Sequence, residues 1–294
     1  MLTKRSLDQC IKISLRIFLI PSIICTLFTV VFLVKESLPF FKDVSISDFL
    51  LGYNWQPLIE PRSFGVLPLV SGTMHIVLIS IIFALPVGIL SSIYLSEIAS
   101  KKIRKYLKPS LELLAGVPSV VFGYFALITL TPIIRIFFPQ IEAFNSLSAA
   151  LVVGVMILPM ITSLCDDSLQ SLPKSIKEAA YALGCTQFEC IFFVQLPAVF
   201  KQMSASVLLA ISRAIGETMA VTLAAGATPS LHFDPLKSIQ TMTAFIVQVC
   251  LGDAQNGTVE YHSCFAVALL LFLITFFFNG LGKLILKRAK NHDY

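Results

Sequence analysis

The chain has 294 residues and a formal net charge of +5; 56% of the residues are hydrophobic and only 13% are charged. A soluble domain carries about 25% charged residues, so this composition excludes an ordinary soluble enzyme or binding module. The small excess of cations reads as membrane topology rather than nucleic-acid binding.

The apolar residues fall in long continuous blocks. A barrel strand alternates apolar and polar over about ten residues, whereas these blocks approach the ~20 residues that a helix needs to cross the hydrocarbon. The first block, Ile17–Val34, follows Lys4, Arg5, Lys12 and Arg16. It is longer than the ~7–15 residues of a signal-peptide core and has no small-x-small site after it, so it reads as a membrane anchor. A polar stretch with Trp55, Pro57, Pro61 and Phe64-Gly65 follows. Further blocks run from Leu67 to Leu95, Leu107 to Phe138, Leu147 to Leu164, Leu196 to Ala227 and Phe265 to Leu286. The fold class is therefore an all-α integral membrane protein with about six transmembrane helices. In domain terms, 1–36 is an N-terminus plus first span, 37–66 an extracytoplasmic loop, and 67–290 a five-helix core containing a loop at 166–195.

Lys and Arg concentrate on one side of this arrangement. With a cytoplasmic N-terminus, the outer segments hold only Lys35, Lys42, Arg62, Arg135 and Lys237, and the remainder, apart from Arg213, are inside. That asymmetry puts both termini in the cytoplasm. The chain has seven cysteines but no CxxC pair, and no Cys/His spacing typical of zinc. Cys25, Cys165 and Cys250 sit in or beside apolar blocks and read as inert thiols.

The segment Cys165–Gln195 is more organised than a connection requires. Ser175-Ile176-Lys177-Glu178 and Thr186-Gln187-Phe188-Glu189 both fit a capping box, and Gly184 between them fits a helix C-terminus. The pattern predicts two short helices about a glycine turn, over Ile176–Leu183 and from Thr186 onward. Pattern alone leaves two uses open: an amphipathic hairpin resting on the membrane, or a docking element for a cytoplasmic partner.

Charge within the fifth block is the other signal. Arg213 and Glu217 are four residues apart, so on a continuous helix they share a face and can pair. One reading is a structural ion pair. The other is a substrate path, the usual role of ionisable groups inside a bilayer. Guanidinium presents a flat fork of donors suited to phosphate or carboxylate oxygens. Glu217 adds a possible filter: phosphate near neutral pH retains a proton to donate to a carboxylate, and sulfate does not. In the third block, Ala115-Gly116-Val117-Pro118-Ser119 predicts either a broken helix with free N–H groups or a kink. His75 reads as a packing residue rather than a ligand.

Glu178-Ala179-Ala180, then Gly184, then Val194-Gln195-Leu196-Pro197 resembles the EAA-x3-G-x9-I-x-L-P loop of ABC importer permeases, with valine replacing isoleucine. Trp55-x-Pro57, Phe64–Pro68, Leu95–Ala99, Glu112–Gly123 and Arg213–Thr222 extend the likeness, and the chain is similar to PstC-type permeases of phosphate-specific ABC importers. The resemblance implies that Glu178, Ala179, Ala180 and Gly184 form a coupling helix docked on an ATPase, and that Arg213, Glu217, Thr218 and Ser119 line the substrate path. It implies a PstA-type permease as heterodimer partner, PstB-type ATPase subunits, a PstS-type phosphate-binding protein, and residence in a bacterial inner membrane. No cofactor is expected in this chain, ATP and Mg belonging to the ATPase: no G-x-x-x-x-G-K-[ST] loop occurs here, and Gly280-Leu281-Gly282-Lys283 lacks the spacing. The chain is therefore expected not to be an enzyme. HExxH is absent too, and Asp166-Asp167 lacks the pattern of a membrane protease. The rival functions are a permease for sulfate, molybdate or phosphonate, and a secondary anion transporter, which would not need the coupling loop.

Overall fold

The structure is a computed structural model that describes residues 4–57, 59–255 and 257–290. Among the described residues six helices are long and apolar enough to cross a membrane: Phe18–Asp43, Leu67–Ile98, Ser119–Phe137, Ser146–Gln170, Gln187–Ile215 and Val259–Lys287. These are the first to sixth spans below.

The second and fourth spans form the centre. Small residues let their backbones approach, the usual device where lipid offers no hydrophobic drive between helices. A Cβ on Gly88 would lie 2.7 Å from Ile161 Cγ2, and one on Gly154 would lie 2.8 Å from Phe83 Cδ1. Ser80 Oγ donates across this contact to the Ala150 carbonyl at 2.8 Å. The apolar window of the fourth span is 61% buried and that of the first 0%, so the fourth is the spine and the first an outer helix. The first span runs along the sixth, which in turn packs on the fifth.

The segment 37–66, read above as a polar loop, folds into a cap. Short helices Phe40–Asp43 and Ile46–Leu51 precede an antiparallel pair, Trp55–Gln56 with Ser63–Phe64. Ser45 caps the second of these helices by accepting from Asp48 N at 3.1 Å. Phe40, Phe49 and Trp55 are buried together with Leu69 and Phe245. Trp55 meets Phe245 edge-on at 4.8 Å between ring centroids, a favourable aromatic geometry.

Two spans differ from their sequence blocks. The block Leu107–Phe138 divides into an amphipathic helix, Lys101–Ala115, and the third span from Ser119. Pro118 stands at the start of the new helix, where its missing N–H is harmless. The predicted interruption is thus a break, not a bend. The block Leu196–Ala227 also divides: helix Leu196–Ile215 stops, and Met219–Ala224 follows as a separate short helix. Among the described residues four stretches adopt the wider i→i+5 turn, namely Tyr94–Ile98, Ala126–Leu130, Cys190–Gln195 and Val249–Asp253.

Candidate functional site

The first candidate region lies where the fifth span stops. Gly216 closes helix Leu196–Ile215 with φ −85° and ψ 0°, and Thr218 has φ −112° and ψ −63° before Met219–Ala224 begins. Arg213 occupies the last helical turn, where a cation complements the helix dipole, and its side chain is exposed. Glu217 lies beyond the helix end. Its carboxylate turns to Ala220 N at 3.4 Å, while its carbonyl accepts from Thr243 Oγ1 at 2.9 Å. The i,i+4 pairing expected of Arg213 and Glu217 is therefore not formed: it presupposes a helix through residue 217, and this one ends at 215. Among the described residues Arg213 makes no ion pair. Thr218 Oγ1 donates to the Gly216 carbonyl at 3.1 Å, tightening the turn.

The third span brings Ser119 to the same region. A Cβ on Gly123 would lie 2.9 Å from Ala220 Cα, so helices Ser119–Phe125 and Met219–Ala224 touch backbone to backbone. Both then climb to Asn145: Ala224 O accepts from Asn145 N at 3.0 Å, and Thr131 Oγ1 accepts from Asn145 Nδ2 at 3.2 Å. The two helices run in the same direction, and Ser119 lies on the same side of the Gly123–Ala220 contact as Glu217. At ~1.5 Å per residue, Ser119 sits roughly 18 Å below Thr131, at the first residue of the third span. The structure thus gathers Ser119, Glu217 and Thr218 around one interruption, with Arg213 one turn before it.

His75 is buried and stacks on Phe233 at 5.9 Å, in keeping with packing. A groove of about 830 Å³ between the second and fifth spans is lined by Leu85, Ile89, Phe192, Phe200 and Met203. It holds no charge and is no anion site. Among the described residues no group of three or more His, Cys, Asp or Glu is arranged to hold a metal.

The second region is the hairpin after the fourth span. Helix Lys174–Ala182 starts behind Pro173 with no side-chain cap. The capping box expected of Ser175 and Glu178 is absent because the helix begins two residues earlier, placing Ser175 within its first turn. The Thr186–Glu189 box does form: Glu189 accepts from Thr186 N at 2.7 Å, and Thr186 Oγ1 accepts from Glu189 N at 3.4 Å. Gly184 takes φ +86°, and Cys185 N reaches Ala180 O at 3.2 Å, the closure that glycine permits at a helix end. Ala180 is buried, whereas Glu178 and Ala179 are exposed. Tyr181, Leu183 and Phe188 are 46%, 86% and 68% exposed, so the hairpin presents apolar side chains outward.

Asp166, weighed from the sequence only against a protease pattern, ties helix Lys101–Ala115 to the end of the fourth span. Asp166 is fully buried at the end of the fourth span and binds Arg104 Nη2 at 2.7 Å, Lys108 Nζ at 3.1 Å and Gln170 Nε2 at 2.8 Å. Burial alone lowers the Lys108 pKa, but hydrogen bonds to Asp166 and Asp167 outweigh it and hold that pKa above its usual value. The available signal was a carboxylate at the end of an apolar block, which must find a cation.

The family model described as the binding-protein-dependent transport system inner membrane component matches residues 84–291. The chain is 36% identical over 249 residues to the probable ABC transporter permease protein YqgH of Bacillus subtilis, covering 85% of this chain and 80% of that one. It is 32% identical over 262 residues to the phosphate transport system permease protein PstC of Mesorhizobium japonicum, covering 82% and 78%. Among solved structures, a bacterial alginate ABC transporter bound to its periplasmic protein matches 96% of each chain with TM-score 0.67 and 14% identity. The MetNI methionine ABC transporter matches with TM-score 0.56 and 16% identity over 76% of this chain. At those identities the structural likeness concerns the fold.

Proposed function

The chain belongs to the family of binding-protein-dependent transport system inner membrane components, and from that premise we propose that it is the transmembrane permease subunit of an ATP-driven importer of inorganic phosphate. It is a multi-pass membrane protein of a transport permease family. The named phosphate relatives support the substrate. The observation that carries an anion path is Arg213: an exposed guanidinium without an ion pair among the described residues, inside a span and beside a helix break. Such a charge is tolerated in a membrane only against protein, water or a counter-ion.

In this reading both termini are cytoplasmic, and Arg213, Glu217, Thr218 and Ser119 line the path against a second, PstA-type permease. Arg213 holds the anion as a bidentate donor, and Glu217 accepts the phosphate proton. The hairpin, through Glu178, Ala179, Ala180 and Gly184, docks on a PstB-type ATPase that binds ATP and Mg. Tyr181, Leu183 and Phe188 supply the apolar contact. A PstS-type protein delivers phosphate to the outer face, and nucleotide-driven motion of the hairpins alternates access to the path.

The test is ATP-dependent phosphate uptake into vesicles holding this chain with its partner permease and ATPase, supplied with binding protein and challenged with sulfate and molybdate. Uptake that needs ATP and resists both competitors is expected. Arg213→Gln should lower it by roughly 30–150-fold, the equivalent of ~2–3 kcal/mol for a lost charge-assisted contact. Uptake without the ATPase would overturn the permease reading, and ATP-dependent uptake of sulfate alone would overturn the substrate.

A further inference from the structure

The second and fifth spans each reach the hairpin through an i→i+5 turn, Tyr94–Ile98 and Cys190–Gln195. Such turns recur where a helix must be re-aimed or must move. Both meet at Glu97. Its carboxylate, with the side chain 8% exposed, pairs with Lys177 of the hairpin helix Lys174–Ala182. It also accepts from Gln195 Nε2 at 3.2 Å, and its backbone carbonyl accepts from Gln187 Nε2 at 3.1 Å. One carboxylate therefore ties the end of the second span, the hairpin helix and the start of the fifth span together.

Two observations argue against a passive lock. A buried ion pair holds elements together no better than apolar residues of the same volume, and apolar residues are plentiful here. Moreover, Gln195 is fully buried while its Oε1 has no donor. That is an incompletely satisfied network, a costly feature in a merely structural joint. Gln195 also leads directly into the 20-residue helix Leu196–Ile215. That helix is a continuous rod of roughly 30 Å with Arg213 in its last turn.

We propose that Glu97 is a positioning residue of the transport cycle: through Lys177, Gln187 and Gln195 it makes the hairpin helix and the ends of the second and fifth spans move as one body. Displacement of the hairpin then travels along Leu196–Ile215 to the break at Gly216–Thr218. The driving force rests on the permease reading above, so the test uses two readouts that fail separately. In the assembled complex, Glu97→Gln should raise backbone hydrogen exchange across residues 174–182 by about tenfold or more, and phosphate moved per ATP hydrolysed should fall by about tenfold, with hydrolysis not falling in step. Lys177→Met, which cuts the same pair from its more exposed side, should reproduce both effects and carries the test should Glu97→Gln not assemble. The exchanged pair Glu97→Lys with Lys177→Glu should recover part of the ratio, since the Gln195 amide can turn its orphan oxygen toward a lysine. Unchanged exchange overturns the proposal whatever is transported. Faster exchange with an unchanged ratio, or parallel loss of hydrolysis and uptake, overturns the transmission role. A wild-type complex that exchanges slowly but moves no phosphate overturns the functional reading alone.

Discussion

At the scale of single residues, the proposed path depends on two side chains whose partners differ from those their spacing suggests. With the helix ended at Ile215, Arg213 has no carboxylate partner among the described residues, which suits a site that must receive an anion. Glu217 carries two roles: it accepts a long 3.4 Å bond from Ala220 N, and it is the acceptor proposed for the phosphate proton. Glu217→Gln separates them. Glutamine keeps an oxygen for Ala220 N, so the helix start survives, but it removes the charge that repels a fully deprotonated dianion and adds a donor that welcomes it. The expected outcome is an intact complex whose preference for phosphate over sulfate, measured as competition in uptake, falls by about tenfold, one charge-assisted hydrogen bond's worth. Unchanged selectivity would reduce Glu217 to a helix-starting group.

At the scale of elements, what makes the path is a pair of helices that cannot be separated. Gly123 and Ala220 place Ser119–Phe125 and Met219–Ala224 in backbone contact, and the neighbouring atoms are Ala220 Cα and O and Leu223 Cβ, none of which can swing aside. Gly123→Ala should therefore destabilise the complex by ~1–3 kcal/mol, the usual cost of overpacking, and depress uptake with it. Gly280→Ala is the contrast: it lies in helix Val259–Lys290, and an added Cβ meets nothing within 4 Å. It should stabilise by about 0.5–1 kcal/mol through helix propensity. Melting temperatures of the two variants should move in opposite directions, and a shift in the same direction would refute the close-contact account. These elements also mark where sequence stops being informative. Long apolar blocks announce spans because a helix must cover the hydrocarbon unaided, so Leu67–Ile98 was legible nearly to its end, whereas Ser146–Gln170 runs six residues past Leu164 because its last turns are polar. The stop at Ile215 was not, because one glycine in an apolar run signals nothing by itself and Arg213–Glu217 fits a continuous helix equally well. The aromatic cap of 37–66 was hidden for a different reason: it closes on Phe245, distant in sequence. In the hairpin, Gly184 and Thr186–Glu189 were readable as local chemistry, whereas the ties of Glu97 and Asp166 are long-range.

At the scale of the whole molecule, the charge distribution and the fold bear on one question, which way the chain faces. The structure puts Arg104, Lys108 and Lys177 at one end of the bundle, bonded to Asp166 and Glu97, and the aromatic cap 37–66 against residues that begin the second span. Positive residues are retained on the cytoplasmic side, so the hairpin should lie inside and the cap outside. Tyr53 in the cap and Leu183 in the hairpin are 73% and 86% exposed, and the second, third and fourth spans separate them. An odd number of crossings requires the two sites to face opposite sides. With Cys10, Cys25, Cys185 and Cys250 replaced by alanine, Tyr53→Cys should react with a membrane-impermeant thiol reagent added to intact spheroplasts. Leu183→Cys should react only in inside-out vesicles, and more slowly once the ATPase is added, because docking covers it. Reversed labelling would invert the orientation and put the ATPase contact on the wrong face, overturning ATP-driven import by this chain. Labelling of both sites from one face would mean that one of the three intervening spans does not cross, and the path around Ser119 and Thr218 would lose its place inside the bilayer.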